Sequence, residues 1–281
     1  MAGIESELKE ARFDAGEVEI NYAEGPDNGP PILLIHGIGG MWQNFLDVYD
    51  LIHDRWHVFA IDLRGHGKSG HTDAGYDFTD YPSDVVPFIS EEITQPTVIW
   101  GHSLGAITAM GVAAKIPDLV SAAILEDPPM MIQGESSHRT AVERFRRIHE
   151  IMLAQPPDDE LLSILRDMDP DRPEGHYQSS MMAIRSNDPA IYYRVVEGSA
   201  GPGWDPEAVL ARVTSPTLLM QADPDFGAAV LDQHAEKAMG ILSNAEHVKF
   251  PGVGHSIHAA VTQETVDVME RFVRERATAR A

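Results

Sequence analysis

The sequence contains no cysteine, and this absence excludes disulfide bonds, thiolate metal ligands and a cysteine nucleophile. No uninterrupted apolar run approaches the roughly 18 residues that are needed to span a bilayer. The opening segment MAGIESELKE carries acidic residues where a secretory signal would have basic residues followed by an apolar stretch. Together these absences predict a cytoplasmic protein that has no membrane partner.

Basic residues are scarce, since 21 lysine and arginine residues stand against 44 aspartate and glutamate residues and give a net charge of −23. A field of this sign repels the phosphates of nucleic acids and anionic membrane surfaces, so we expect neither as a partner. The 13 histidines are scattered and show no spacing typical of paired metal ligands. The sequence therefore predicts no metal and no other cofactor, and it does not indicate an oligomeric state.

Apolar segments alternate with helical patterns through much of the chain. Residues 31–37 are nearly all apolar, as in a strand that is buried on both faces of a sheet. Further strands are predicted at residues 17–22, 56–62 and 122–125 and in the apolar run that ends at Ser103, with helices at residues 42–52, 79–93 and 106–115. Strands that alternate with helices predict an α/β fold with a mostly parallel sheet flanked by helices.

The alternation stops from about Met130 to Val213. Helical patterns at residues 139–153, 160–168 and 177–185 are separated there by prolines. Strand patterns resume at residues 217–220 and 247–250, with helices at 229–239 and 262–276. We therefore expect a helical cap at residues 130–213, inserted after the sixth strand, and a core domain made of residues 1–129 and 214–281.

A single serine lies where a buried strand meets a helix. The segment Gly101-His102-Ser103-Leu104-Gly105 fits the G-x-S-x-G nucleophile elbow, in which a strained turn projects the serine hydroxyl above the sheet. The adjacent helix N-terminus favours the negative charge that develops when a serine attacks a carbonyl. Ser103 is therefore the candidate nucleophile.

A serine nucleophile needs a base and an oxyanion hole. His255 lies in a glycine-rich loop just after the last predicted strand, at the same end of the sheet as Ser103, and is the candidate base; His258 is its rival. Two backbone N–H groups are expected to hold the oxyanion. Leu104 supplies one directly after the nucleophile, and Ile38, in the loop after the strand at residues 31–37, supplies the other.

These motifs resemble those of the α/β-hydrolase superfamily, in its capped, serine-dependent form. The segments HGIGG, DLRGHGKSG, GHSLG and GVGHSIH occur in the family's order and spacing, and the resemblance covers roughly residues 16–277. Family members include esterases, lactonases, carbon–carbon bond hydrolases, cofactor-free haloperoxidases, epoxide hydrolases and haloalkane dehalogenases. The last two use aspartate at the elbow, so Ser103 argues against both.

The resemblance implies an aspartate that orients His255. The common family form, glycine followed by two variable residues and the acid, matches the segment after residues 217–221 with Ala222 in the glycine position, and it predicts Asp225. Asp223 takes that role if the turn is slightly different. Some family members carry the acid 24 residues after the nucleophile, a spacing that corresponds to Asp127.

The expected activity is hydrolysis of a carboxylic ester or lactone by a serine-dependent enzyme. Methionine and aromatic residues in the expected cap favour a hydrophobic small-molecule substrate. Two alternatives use the same catalytic residues on other bonds, namely carbon–carbon hydrolysis and perhydrolysis of a carboxylic acid. A non-catalytic small-molecule receptor is a third alternative, and the presence of a candidate nucleophile, base, acid and oxyanion loop argues against it.

Overall fold

The fold is built on one eight-stranded sheet, which a computed structural model describes within residues 7–73, 75–130 and 139–278. In chain order the strands are β1 Lys9–Asp14, β2 Glu19–Glu24, β3 Pro31–Ile35, β4 His57–Ile61, β5 Thr97–His102, β6 Val120–Glu126, β7 Thr217–Gln221 and β8 Ala245–Lys249. Their order across the sheet is β1-β2-β4-β3-β5-β6-β7-β8. Strands β3 to β8 are parallel, whereas β2 is antiparallel to both of its neighbours. The predicted α/β architecture is therefore confirmed.

Helices connect the parallel strands and cover both faces of the sheet. They are α1 Leu46–Ile52, α2 Tyr81–Pro87, α3 Leu104–Lys115, α4 Arg139–Ala154, α5 Asp158–Met168, α6 Glu174–Ser186, α7 Tyr193–Val196, α8 Pro206–Leu210, α9 Asp232–Ile241, α10 Ile257–Ala260 and α11 Thr262–Thr278. Short 3-10 turns occur at Trp42–Phe45, Pro117–Leu119, Pro189–Tyr192 and Pro224–Phe226. A π-helical turn, Phe88–Ile93, continues α2. Within the described ranges, no helix is long and apolar enough to cross a bilayer.

The hydrophobic core lies on the two faces of the sheet, and β3 shows why its strands are almost wholly apolar. Leu33 and Ile35 pack into the cluster that contains α2 and α3, whereas Ile32 and Leu34 pack into the cluster that contains α1 and α11. Successive side chains of a strand point to opposite faces, so a strand covered on both sides needs apolar residues at every position. Burial of each such side chain contributes about 1.5–3 kcal/mol.

Strand β1 is an element that the sequence analysis did not predict. It pairs antiparallel with β2 from Lys9 opposite Glu24 to Asp14 opposite Glu19. Its side chains are mostly exposed, because it forms one edge of the sheet. Charged residues on an edge strand discourage pairing with another chain, and they also hide the apolar alternation that reveals a strand in sequence. When β1 is counted, β6 is the sixth strand.

The helices α4 to α8 follow β6 and precede β7, and we call Arg139–Leu210 the inserted helices. The helical patterns predicted at residues 139–153, 160–168 and 177–185 correspond to α4, α5 and α6. Apolar side chains of these helices belong to the same cluster as Leu104 and Ile107 of α3. The inserted helices therefore share a hydrophobic cluster with α3, and several of their residues line one cavity with Ile38 and His102.

Candidate active site

Ser103 occupies the sharp corner between β5 and α3 that the sequence predicts. Its backbone has φ 54° and ψ −113°, a conformation that costs a non-glycine residue about 1–3 kcal/mol. Its N–H donates to the carbonyl oxygen of Glu126 at 2.9 Å, which ties the corner to the end of β6. The serine is thus held in a strained turn immediately before a 12-residue helix.

The glycines on either side of Ser103 are required by close backbone approach. A Cβ atom on Gly101 would lie 2.0 Å from the carbonyl oxygen of Gly105. A Cβ atom on Gly105 would lie 2.0 Å from the carbonyl oxygen of Ile35, the last residue of β3. Both positions therefore exclude any side chain, and this explains why the G-x-S-x-G motif has glycine at its first and last positions.

The loop after β3 contacts the Ser103 corner and carries one of the two backbone donors expected beside it, while Leu104 of α3 carries the other. A Cβ atom on Gly37 would lie only 3.1 Å from the Cβ of Ser103, so this loop touches the nucleophile corner. In the part of the chain that the structure describes, neither the N–H of Ile38 nor that of Leu104 is used in a hydrogen bond. The two amides predicted for an oxyanion hole are therefore both unpaired among the described residues, one directly after Ser103 and the other next to Gly37.

Two buried histidines fix the conformation of this loop. His36 Nδ1–H donates to the carbonyl of Gly37 at 2.7 Å, and His66 Nε2 accepts the N–H of Gly39 at 3.0 Å. The remaining nitrogen of each ring is also occupied, by the N–H of Leu63 and the carbonyl of Arg64. Complete burial lowers the pKa of both imidazoles, so both rings are neutral. Sequence reasoning noted both motifs and did not recognise this supporting role.

His255 is paired with Asp127. The Nδ1–H of His255 donates to Asp127 Oδ2 at 2.7 Å, and the carboxylate has no solvent exposure. The same carboxylate accepts backbone N–H groups from Ala222 at 3.3 Å, Ala229 at 2.7 Å and Val230 at 3.2 Å. Asp127 therefore joins the end of β6 to the loop after β7 and fixes the orientation of the imidazole.

The structure does not place Asp225 beside His255, so the expected pairing of these two residues is wrong. Asp225 lies in the 3-10 turn after β7 and is exposed. Asp223 caps that turn by accepting the N–H of Asp225 at 3.1 Å and that of Gly252 at 2.7 Å. The turn directs Asp225 to the surface, and the space beneath the loop is filled by Asp127. The spacing from Ser103 was the sequence signal for Asp127.

Ser103 and His255 are not hydrogen-bonded to each other. Among the described residues, the Ser103 hydroxyl has no hydrogen-bond partner, and neither does Nε2 of His255. Catalytic hydrogen bonds in unliganded enzymes are often long and tighten when substrate binds. Nε2 of His255 is consequently available to accept a proton.

A second buried histidine–carboxylate pair lies behind the first, and sequence reasoning missed its carboxylate. His258 Nδ1–H donates to Glu126 Oε1 at 2.8 Å, and both side chains are nearly inaccessible. Burial opposes both charges, yet their interaction lowers the pKa of Glu126 to about 2 and raises the pKa of His258. Because His258 is held by this ion pair and stacks on Phe45, it is a structural residue in this geometry.

His102 connects the two pairs. Its Nε2–H donates to the backbone carbonyl of His255 at 3.1 Å, and its ring lies 4.7 Å from the ring of His255 and 5.2 Å from that of His258. Complete burial lowers the pKa of His102 to about 3, so the ring is neutral. The residue before the nucleophile thus supports the loop that carries His255.

A cavity of about 680 Å³ opens beside His102, His255 and His258. His255, His102 and Ile38 line one part of it, and the inserted helices line much of the rest. Of the methionine and aromatic residues in the expected cap, Phe145, Met168, Tyr177 and Tyr192 line the cavity. The apolar lining from the inserted helices and the turn Pro189–Tyr192 is Phe145, Ile148, Leu165, Met168, Ala183, Ile184 and Tyr192. Met131 lies outside the described residues.

The sheet, the serine corner and the histidine–aspartate pair define a class of α/β enzyme, and comparisons with known proteins identify the family. A model of the Alpha/beta hydrolase family matches residues 32–268. The chain therefore belongs to the α/β-hydrolase family.

Similar proteins agree with this membership. One relative, a 2-(acetamidomethylene)succinate hydrolase from Mesorhizobium japonicum, is 34% identical over 125 residues, which is 44% of this chain and 45% of that protein. A putative esterase/lipase from Haemophilus influenzae is 25% identical over 251 residues, covering 88% of this chain and 84% of that protein. The crystal structure of E-2-(acetamidomethylene)succinate hydrolase superimposes with a TM-score of 0.74 at 22% identity, covering 95% of this chain and 99% of that one. This last likeness concerns the fold alone.

Proposed function

We propose that the chain is a serine hydrolase that cleaves a carboxylic ester or lactone through an acyl-enzyme on Ser103. The observation that carries this proposal is the hydrogen bond from His255 Nδ1–H to the buried carboxylate of Asp127. This bond fixes the tautomer in which Nε2 lacks a proton, and a base in that state is what a serine hydroxyl requires. The nucleophile corner and the two free amides complete the set.

In the proposed reaction, His255 Nε2 takes the proton of the Ser103 hydroxyl as Oγ attacks the carbonyl carbon of the substrate. The carbonyl oxygen becomes negatively charged and is stabilised by the N–H groups of Ile38 and Leu104. When the tetrahedral intermediate collapses, the bond to the leaving alkoxide breaks and His255 returns the proton to it. Water, deprotonated by His255, then attacks the acyl carbon, the bond from that carbon to Ser103 Oγ breaks, and His255 returns the proton to Oγ as the acid is released. Asp127 stabilises the imidazolium in both steps.

The inserted helices supply the proposed cap, and their apolar residues support a substrate with a hydrophobic body. Phe145, Leu165, Met168 and Tyr192 line the cavity that His255 also lines. Small-molecule sites are usually lined in this way, with a few polar groups that fix orientation.

A second candidate bond is an amide. The relative from Mesorhizobium japonicum is, by its name, a hydrolase of an acetamido compound. An acyl-enzyme on Ser103 would form from an amide by the same steps, with His255 protonating the leaving nitrogen. This candidate differs from the first in the bond that breaks and leaves the catalytic residues unchanged.

A substrate panel tests the proposal. It contains nitrophenyl esters and lactones of graded size, acetanilides as amides, and a β-diketone for carbon–carbon cleavage, each measured with the wild type and with Ser103→Ala. We expect ester or lactone turnover that Ser103→Ala abolishes. Turnover that persists in Ser103→Ala would refute the serine mechanism, and turnover of the β-diketone alone would move the activity to carbon–carbon hydrolysis.

A further inference from the structure

One part of the cavity wall is cationic, although the chain as a whole has a net charge of −23. Arg144 of α4, Arg172 in the loop between α5 and α6, and His176 of α6 all line the cavity. Asp169 is the only carboxylate among the described residues that line it. Because basic residues are scarce in this protein, their concentration at one wall of the cavity indicates that this wall binds an anionic group.

The two arginines differ in how they are engaged. Arg144 donates to both carboxylate oxygens of Asp169, at 3.2 and 2.5 Å. The guanidinium of Arg172 has no ion-pair or hydrogen-bond partner among residues 7–73, 75–130 and 139–278. Its backbone is nevertheless fixed, because its N–H donates to the hydroxyl of Tyr177 at 3.2 Å and that hydroxyl donates to the carbonyl of Asp169 at 2.7 Å. The loop, which is tied to Tyr177 at this one point, therefore presents an exposed and unpaired cation at the cavity wall.

The positive charges at this wall lower the pKa of two neighbouring groups, Asp169 and His176. Partial burial opposes ionisation of Asp169, yet Arg144 and then Arg172 lower the pKa of its carboxyl. Partial burial and then Arg172 lower the pKa of His176, and both effects favour the neutral form of its imidazole. Two arginines and one carboxylate then leave a single net positive charge. One net positive charge is balanced by a monoanionic carboxylate, whereas a phosphate dianion would leave an excess negative charge at this wall.

We propose that Arg144, Arg172 and His176 form an anion subsite of the cavity, and that the substrate carries a carboxylate separated from the bond that is cleaved. The guanidinium of Arg172 is the main contact, because a planar fork of N–H donors fits a carboxylate in two-point fashion. The apolar residues that line the same cavity then contact the body of the substrate. The proposal rests on the ester or amide hydrolysis proposed above, and it names the class of acyl compound.

The test compares matched anionic and neutral substrates. The anionic members are mono-nitrophenyl esters of adipic and suberic acid, and each has a neutral partner in which the free carboxyl is methylated. Release of nitrophenol gives kcat and KM for both members of each pair. We expect the wild type to prefer the anionic member, with most of the difference in KM, and we expect added salt to reduce the preference.

Variants at the wall separate the subsite from the catalytic residues. Arg172→Gln should reduce the preference for the anionic member by about tenfold, which is the ratio that ~1.4 kcal/mol produces, and should leave the neutral member almost unchanged. Arg172→Lys should retain part of the preference. Asp169→Asn should increase it, because Arg144 is released from its carboxylate. Arg146→Gln is the matched control, since Arg146 lies on α4 and pairs with Glu143 outside the cavity lining.

The outcomes distinguish this proposal from the one on which it rests. Equal losses on both members of a pair in Arg172→Gln, or a wild-type preference for the neutral member, would overturn the anion subsite while ester hydrolysis stands. If Ser103→Ala still releases nitrophenol from both members, the serine mechanism itself has failed. Circular dichroism and the thermal midpoint of each variant show whether it is folded, and the Arg172→Lys result serves as a second reading if Arg172→Gln is unstable.

Discussion

Replacement of Asp127 by asparagine removes the group that orients His255. The carboxylate is fully buried and accepts four N–H groups, three from the backbone and one from His255 Nδ1. Asparagine keeps one acceptor oxygen, and its NH₂ group must face at least one of these donors. If that NH₂ group faces His255, the imidazole turns to the tautomer that has its proton on Nε2 and can no longer accept one from Ser103.

The expected losses follow from these contacts. In serine-protease triads the same replacement lowers kcat by about 10⁴, and we expect a loss of similar size for Asp127→Asn. Leaving one buried donor without its charged acceptor should also lower the free energy of unfolding by about 1–3 kcal/mol. The loss of activity should therefore exceed anything that the loss of stability explains.

Turnover of a nitrophenyl ester per folded molecule measures this effect, with the folded fraction taken from urea denaturation. Asp225→Asn and Asp223→Asn are the controls, because neither carboxylate contacts His255, and both should retain turnover within a few-fold of wild type. If Asp225→Asn is the crippling change and Asp127→Asn remains active, the orientation of His255 by Asp127 is refuted.

Three further predictions concern stability and folding. Burial lowers the pKa of His102 to about 3 from an ordinary 6.5. The contribution of this neutral ring to the free energy of unfolding is therefore complete above pH 6.5 and falls as the pH drops, by ~2 kcal/mol at about pH 5. Urea denaturation of His102→Gln should show that this part of the pH dependence is lost. Asp84→Ala leaves the buried guanidinium of Arg64 without its two-point partner and should lower the free energy of unfolding by about 3 kcal/mol, whereas a loss below about 1 kcal/mol would contradict the buried pair. Gly105→Ala would place a Cβ atom 2.0 Å from the carbonyl oxygen of Ile35, so soluble expression with a wild-type thermal midpoint would disprove the close approach.

Much of the fold could be predicted because the strands of the parallel sheet are buried on both faces. A strand such as β3 has no polar position, and its continuous apolar run and the glycines that flank it are visible in sequence. Strand β1 could not be found in this way, since its charged side chains are exposed at the sheet edge. The predicted helix at residues 42–52 divides into a 3-10 turn, Trp42–Phe45, followed by α1, a local difference that side-chain periodicity does not resolve.

The candidate site was predictable where one local segment determines the geometry. The corner at Ser103 and the loop of His255 each carry their own glycines and lie at strand ends. The partner of His255 depends instead on two strands at once, since Asp127 follows β6 and takes up the backbone N–H groups of the loop after β7. The spacing within each segment gave Asp127 and Asp225 as candidates. It could not show that the turn capped by Asp223 directs the Asp225 carboxylate to the surface.

Covalent labelling with a fluorophosphonate, read by intact-protein mass spectrometry, tests the central claim most directly. The reagent reacts with a serine only when a base and an oxyanion hole activate it. We predict one adduct on the wild type, located at Ser103 by peptide mapping, and none on Ser103→Ala at the same folded fraction. An adduct on another serine of Ser103→Ala, or no adduct on a wild type that turns over esters, would contradict the assignment of Ser103 as the nucleophile.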